Sequence, residues 1–218
     1  MRGSFVFGRS EMNYRKYEEL LNRVMKKCPL ESGVQTLVFM YLDELFENCI
    51  GYEPVIIDNL QKSKKSPRYR TLGGYADIMV VNSDFEYNDL NADPDIKLFF
   101  EVKALENNLS DHYFQFLGQM LTVGKGYFTN GKTWEYYELS LLEEEREIFK
   151  DKYISAEKQN STDKKTELVI EVLGAPKFRS EVANYNKDGA MKVDPNEFLR
   201  LTEHFCEQIR KLNDAEGE

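Results

Sequence analysis

The run FFEVKA sets Glu101 and Lys103 two residues apart within a strand-forming stretch. Strand side chains alternate, so this carboxylate and this ammonium leave the same sheet face while Phe100 and Val102 point to the other. Taken alone, an E-x-K pair fits an exposed strand edge carrying a surface ion pair. Upstream, however, GGYADIMVV puts Asp77 among apolar residues on the preceding strand. A carboxylate there is unfavourable unless a cation or hydrogen-bond partner compensates it. Two carboxylates on neighbouring strands form the hard-oxygen donor set that Mg²⁺ favours, leaving positions for water and phosphate oxygens. A nearby ammonium can position or activate an attacking water and offset charge on phosphate. Asp77 and Glu101 as metal ligands, with Lys103 on the water, therefore make a hydrolytic site.

Several elements must carry these residues. Ser10 can cap a first helix in which Tyr14, Tyr17, Leu20, Leu21 and Val24 recur at helical spacing, ending near Cys28-Pro29. A second helix runs from about Leu30 to Gly51, with Val34, Leu37, Val38, Tyr41, Leu42, Leu45 and Phe46 on one broad face. EPVIID, GYADIMVV and KLFFEVKA then read as three strands. A helix from about Ser110 carries Tyr113, Phe116, Leu117, Met120 and Leu121, and GYFTNG and TWEYYEL follow as two strands joined by an Asn130-Gly131 turn. Residues 143–165 are charged and read as an exposed helix plus a mobile loop. TELVIEVL reads as a further strand, and Pro195 to about Leu212 as a final helix. This order predicts a single α/β domain with a mixed sheet flanked by helices.

Competing motifs fail on context. GYFTNGKT, Gly126 to Thr133, satisfies the phosphate-loop pattern G-x-x-x-x-G-K-[ST]. That loop needs a strand before it and a helix after it, whereas here a helix precedes and a strand follows, so no nucleotide cofactor is expected. Asp89, Asn91, Asp93 and Asp95 imitate a calcium loop, but Pro94 stands where glycine is needed and Phe100 where the bidentate acid belongs. VIEV, with Glu171, has Leu173 in place of the lysine. His112 and His204 fall in different predicted helices and support no Ser-His-Asp arrangement.

The net charge of −9 argues against a protein that coats nucleic acid through bulk charge. QKSKKSPRYR is a local exception, with Lys62, Lys64, Lys65, Arg68 and Arg70 leading directly into the Asp77 strand. It reads either as a solvated loop or as a phosphate-binding one. No apolar run reaches the roughly 20 residues of a membrane helix, and MRGSFVFGRS lacks the apolar region of an export signal. Cys28, Cys49 and Cys206 show no metal-site spacing and are expected to be buried thiols of a cytoplasmic protein.

The order of these motifs resembles that of PD-(D/E)xK nucleases. More specifically, it is similar to the N-terminal nuclease domain of type I restriction enzyme R subunits and to stand-alone relatives. The matching residues are Glu31 in LESGVQTLVFMYLDEL, Asp77 in GGYADIMVV, Glu101 and Lys103 in FFEVKA, and the TNGKTWEYY hairpin after a glutamine-bearing helix. The match spans roughly residues 29–139. It departs at Ala76, where proline is usual, and at QFLGQ, where Q-x-x-x-Y is common, so Gln115 is the equivalent glutamine and Gln119 its understudy.

The resemblance implies a restriction-endonuclease-like sheet and Mg²⁺- or Mn²⁺-dependent hydrolysis of DNA in restriction or defence. Asp77 and Glu101 would hold metal, Lys103 would act on water, and Glu31 and Gln115 would support the site. ATP-driven translocation would need another polypeptide, so further protein subunits are candidate partners, and a membrane is not. Two alternatives stay open. One is a catalytically silent binding or assembly module with the same fold, and the other is an RNA-directed nuclease, since the metal site does not discriminate the sugar.

Overall fold

A computed structural model of the chain describes residues 12–47, 49–57, 66–86 and 93–215. The first helix, α1 (Tyr14–Lys27), is capped by the Asn13 side chain, which accepts from the backbone N–H groups of Arg15 and Lys16. Ser10, the expected cap, lies outside the described residues. α2 (Glu31–Phe46) buries the apolar face anticipated for it but ends at Phe46, short of Gly51. The three expected strands follow as β1 (Tyr52–Ile56), β2 (Ile78–Asn82) and β3 (Ile96–Val102), all antiparallel.

After β3, α3 (Tyr113–Val123) carries the chain across to β4 (Lys125–Thr129), which lies parallel to β3. β5 (Thr133–Glu138) returns antiparallel through the Asn130-Gly131 turn. A short β6 (Phe178–Glu181) completes a mixed six-stranded sheet in the order β1-β2-β3-β4-β5-β6. Alternation divides its side chains into two cores. Ile78, Val80, Phe100, Val102, Tyr127 and Trp134 pack with α1, α2 and the last helix, α6 (Pro195–Ala215). Met79, Val81, Phe99 and Phe128 pack under α3 with Tyr137. Both faces of β3 and β4 are thus covered, as their near-continuous apolar sequences require.

GYFTNGKT is a strand, a tight turn and a strand. Its first glycine serves packing: a Cβ at Gly126 would stand 2.4 Å from Cε1 of the fully buried Phe99. Its second takes a left-handed φ of 80° in the turn. Gly126→Ala is expected to destabilise the protein by roughly 1–3 kcal/mol through overpacking, read as a lower urea midpoint at unchanged slope.

Two expectations for the C-terminal third need correction. Residues 143–165 contain no long loop: α4 (Glu143–Gln159) is continuous, held to α3 by Tyr153 stacked on Phe114 at 4.3 Å between centroids. TELVIEVL belongs to a helix, α5 (Thr162–Val172), capped by Ser161. Leu168, Val169, Val172 and Leu173 pack against the α3-side core at helical spacing, so the short apolar run follows a period of 3.6 rather than 2. A small hairpin of β7 (Ala183–Tyr185) and β8 (Met191–Val193) was not anticipated; Asn22 of α1 holds its Met191 backbone by two hydrogen bonds of 2.9 Å. The three cysteines are free and half-buried rather than buried. No described helix is long and apolar enough to cross a membrane.

Candidate active site

Asp77 stands one residue ahead of β2 rather than within it, yet it remains in the ladder. Its N–H donates to the Phe100 carbonyl and its carbonyl accepts from Ile57 N–H. This fixes the side chain across β3, where Oδ2 accepts from Val102 N–H at 2.6 Å. Glu101, only 1% exposed, faces α3 as alternation requires. Lys103 is the first residue past β3, held there by its N–H to the Thr129 carbonyl. Its Nζ donates to Glu101 Oε1 at 2.6 Å, while Gln119 Nε2 donates to Glu101 Oε2 at 2.6 Å. Glu31 opens α2, and its half-exposed carboxylate lies 3.6 Å from Lys103 Nζ. Gln115 Oε1 lies 3.5 Å from the same nitrogen.

All five expected residues therefore meet around Lys103, but the glutamines exchange rank. Gln119 is fully buried and bonded to Glu101; Gln115, one turn earlier and half-buried, makes only the long contact. The exchange follows from how α3 lies over β3, which sets Gln119 above Glu101. Gln35, one turn into α2, donates to the Asp77 carbonyl at 3.3 Å and was not foreseen.

The electrostatics follow from three carboxylates sharing one ammonium. Burial raises the Asp77 carboxyl, and the Glu101 charge raises it further, to about 8, against the lowering effect of Val102 N–H and Lys103. Burial also raises Glu101, opposed by Lys103 and Gln119. Burial pulls the Lys103 ammonium down, but Glu101, by charge and hydrogen bond, reinforced by Glu31 and Asp77, outweighs this and raises it overall. His112 is lowered by burial and then by the Lys103 charge, which marks it as a neighbour of the cluster.

Such a cluster is short of positive charge, and this decides whether a divalent cation fits. Two carboxylates whose burial favours the protonated form are a donor set a hard dication would discharge. Among the described residues no three His, Cys, Asp or Glu side chains are gathered as an all-protein metal cage. A two-carboxylate site suits Mg²⁺, which keeps waters and takes substrate oxygens for its remaining positions.

Of the basic loop, Lys62, Lys64 and Lys65 lie outside the described residues. Arg68 packs its guanidinium over Phe85, 4.9 Å from the ring centroid, and Arg70 is exposed beside Thr122 and Lys150. The following turn lies on α3: a Cβ at Gly73 would stand 2.1 Å from the Gln115 carbonyl oxygen, so glycine permits this approach. In the calcium-like run, Asp89 and Asn91 are likewise outside the described residues, and Asp95 pairs with Lys97 at 2.7 Å.

Sequence reasoning passed over a third buried carboxylate. Glu135 lies in the same sheet row as Glu101, across Phe128, and is 1% exposed. Tyr113 and Tyr137 donate to its Oε2 at 2.7 and 3.1 Å, and Arg179 pairs with its Oε1 at 3.0 Å. It is fully compensated, unlike the cluster around Asp77. No family model matches the chain, and neither do any of the curated proteins or solved structures compared with it.

Proposed function

We propose that this chain is a metal-dependent nuclease of the PD-(D/E)xK type, with a restriction-endonuclease-like sheet, that hydrolyses DNA phosphodiester bonds in restriction or defence. The observation that carries this reading is the convergence of Asp77, Glu101 and Lys103 at the C-terminal end of β3 as a charge-deficient, buried cluster. Mg²⁺ or Mn²⁺ on Asp77 and Glu101 would supply Lewis-acid polarisation and charge neutralisation.

The chain's own residues supply the rest. Lys103 is held cationic by Glu101 and Glu31, so it orients the attacking water and stabilises phosphate charge as a donor rather than removing a proton as a base. Water oxygen bonds to phosphorus as the bond to the leaving sugar oxygen breaks. Glu31, the solvent-open carboxylate of the cluster, can pass the water's proton outward. Gln119 fixes Glu101, and Gln115 restrains Lys103 from the other side. Arg70, with the basic run before it, offers phosphate contacts that set register rather than sequence. Further subunits remain candidate partners on the strength of the resemblance to type I R subunits.

One observation favours the silent binding module instead: both Glu101 oxygens are already satisfied by protein donors. The two readings separate in one assay. Purified protein is expected to nick or cut DNA with Mg²⁺ or Mn²⁺ and to lose activity in chelator, with duplex, single-stranded, supercoiled and RNA substrates compared side by side. Failure to cleave any of them, together with no metal binding by calorimetry, would support the module.

A further inference from the structure

The opposite end of the sheet carries a cavity of about 370 Å³ where β3 and β4 begin. At about 3.3 Å per strand residue it lies roughly 20 Å from Lys103. Four cationic side chains, Lys97, Lys125, Arg146 and Lys211, line it against the single carboxylate of Asp95. In a chain of net charge −9 this is a local inversion of sign.

The four cations are not equivalent. Lys97, Lys125 and Lys211 pair with Asp95, Glu138 and Glu207 at 2.7, 3.0 and 2.9 Å. These pairs are substantially exposed, so they are weak and exchangeable. Arg146 has no such partner: its guanidinium makes no ion pair among the described residues, and its Nε is buried with no hydrogen-bond acceptor. A guanidinium without an ion pair on the cavity wall can take an anion. Arginine's planar fork matches phosphate, and flanking lysines add point charge. Leu98, Leu139 and Leu212 supply an apolar wall for the rest of a ligand, and the volume falls in the range of small-molecule sites.

We propose that this cavity binds a phosphate-bearing small molecule of about mononucleotide size, with its phosphate on Arg146 and its body against the leucine wall. The site is independent of the nuclease reading, because it shares no residue with the Asp77 cluster. The same phosphate chemistry could also come from the end of a nucleic-acid strand, and the test separates the two sources.

Calorimetric titration of the full chain in chelator would use AMP, adenosine and a 5′-phosphorylated oligonucleotide. AMP is expected to bind saturably and adenosine at least about tenfold more weakly. Arg146→Gln should weaken AMP at least about tenfold at unchanged melting temperature, and Lys103→Ala should bind it like wild type. Lys211→Gln, on the surface of α6, should weaken it severalfold and serves if Arg146→Gln does not fold. The proposal is overturned by no saturable AMP binding, by equal binding in the arginine and lysine variants of this cavity, or by binding of the oligonucleotide alone.

Discussion

Lys103→Ala is expected to lose DNA cleavage by roughly 10²–10³-fold or more in single-turnover assays while keeping Mg²⁺ affinity within severalfold of wild type. The ammonium sits 2.6 Å from Glu101 and 3.6 Å from Glu31, and no other cation is within reach to replace it among the described residues. Removing it takes away the donor that orients water and opposes phosphate charge, but not the carboxylates that would hold metal. The fold should survive. Glu101 loses one donor but keeps Gln119, and the freed carboxylates can retain protons instead of standing as unpaired buried charges. Circular dichroism melting controls for this, and Lys103→Gln, which keeps a donor without the charge, should recover structure but little rate. Cleavage by Lys103→Ala at the wild-type rate would remove the E-x-K strand from the active site.

The carboxylates of this site were legible because period-2 alternation is a strong rule where a strand is buried on both faces. Glu101 and Lys103 had to share a face, and a charge amid IMVV and FFEV had to be compensated. Glu31 was expected only from the family resemblance, since an acid at the head of an amphipathic helix is equally explained by the helix dipole. The rank of Gln115 and Gln119 was not, since both lie one turn apart on α3 and only the rotation of that helix over β3 decides between them. Glu135 escaped for a related reason. TWEYYEL shows Trp134 and Tyr136 on one face, but the opposite face reads as solvated until α3 is known to cover it.

Local signals failed where they were short. ELVIEV is as compatible with one turn and a half of helix as with a strand, and the decision comes from packing on α3 and α4. β6, β7 and β8 are only three or four residues long, so pairing partners rather than propensity define them. The α-α-β-β-β-α-β-β order that positions the site depends on longer, strongly patterned segments, and it was read in full.

Asp77→Asn is expected to flatten the pH dependence of stability in the metal-free protein and to make it more stable than wild type at pH 8. A carboxyl whose folded pKa is raised to about 8 from an ordinary 3.8 binds its proton more tightly when folded. Its contribution is fully present below about pH 4 and is lost as pH rises toward 8, at up to about 1.36 kcal/mol per pH unit. Shared with Glu101, the difference between variant and wild type should reach on the order of 3 kcal/mol by pH 8. Both histidines are lowered and so act in the opposite direction near pH 6, but they are common to both proteins and cancel in the comparison. The asparagine oxygen can still accept from Val102 N–H, so the backbone clamp is kept. Mg²⁺ should then raise the urea midpoint of wild type more as pH rises through about 8, where the carboxyl gives up its proton, and should leave Asp77→Asn nearly unmoved. Coincident pH profiles for the two proteins would show that Asp77 is not the group holding the proton. Equal stabilisation of both by Mg²⁺ would show that the metal binds elsewhere.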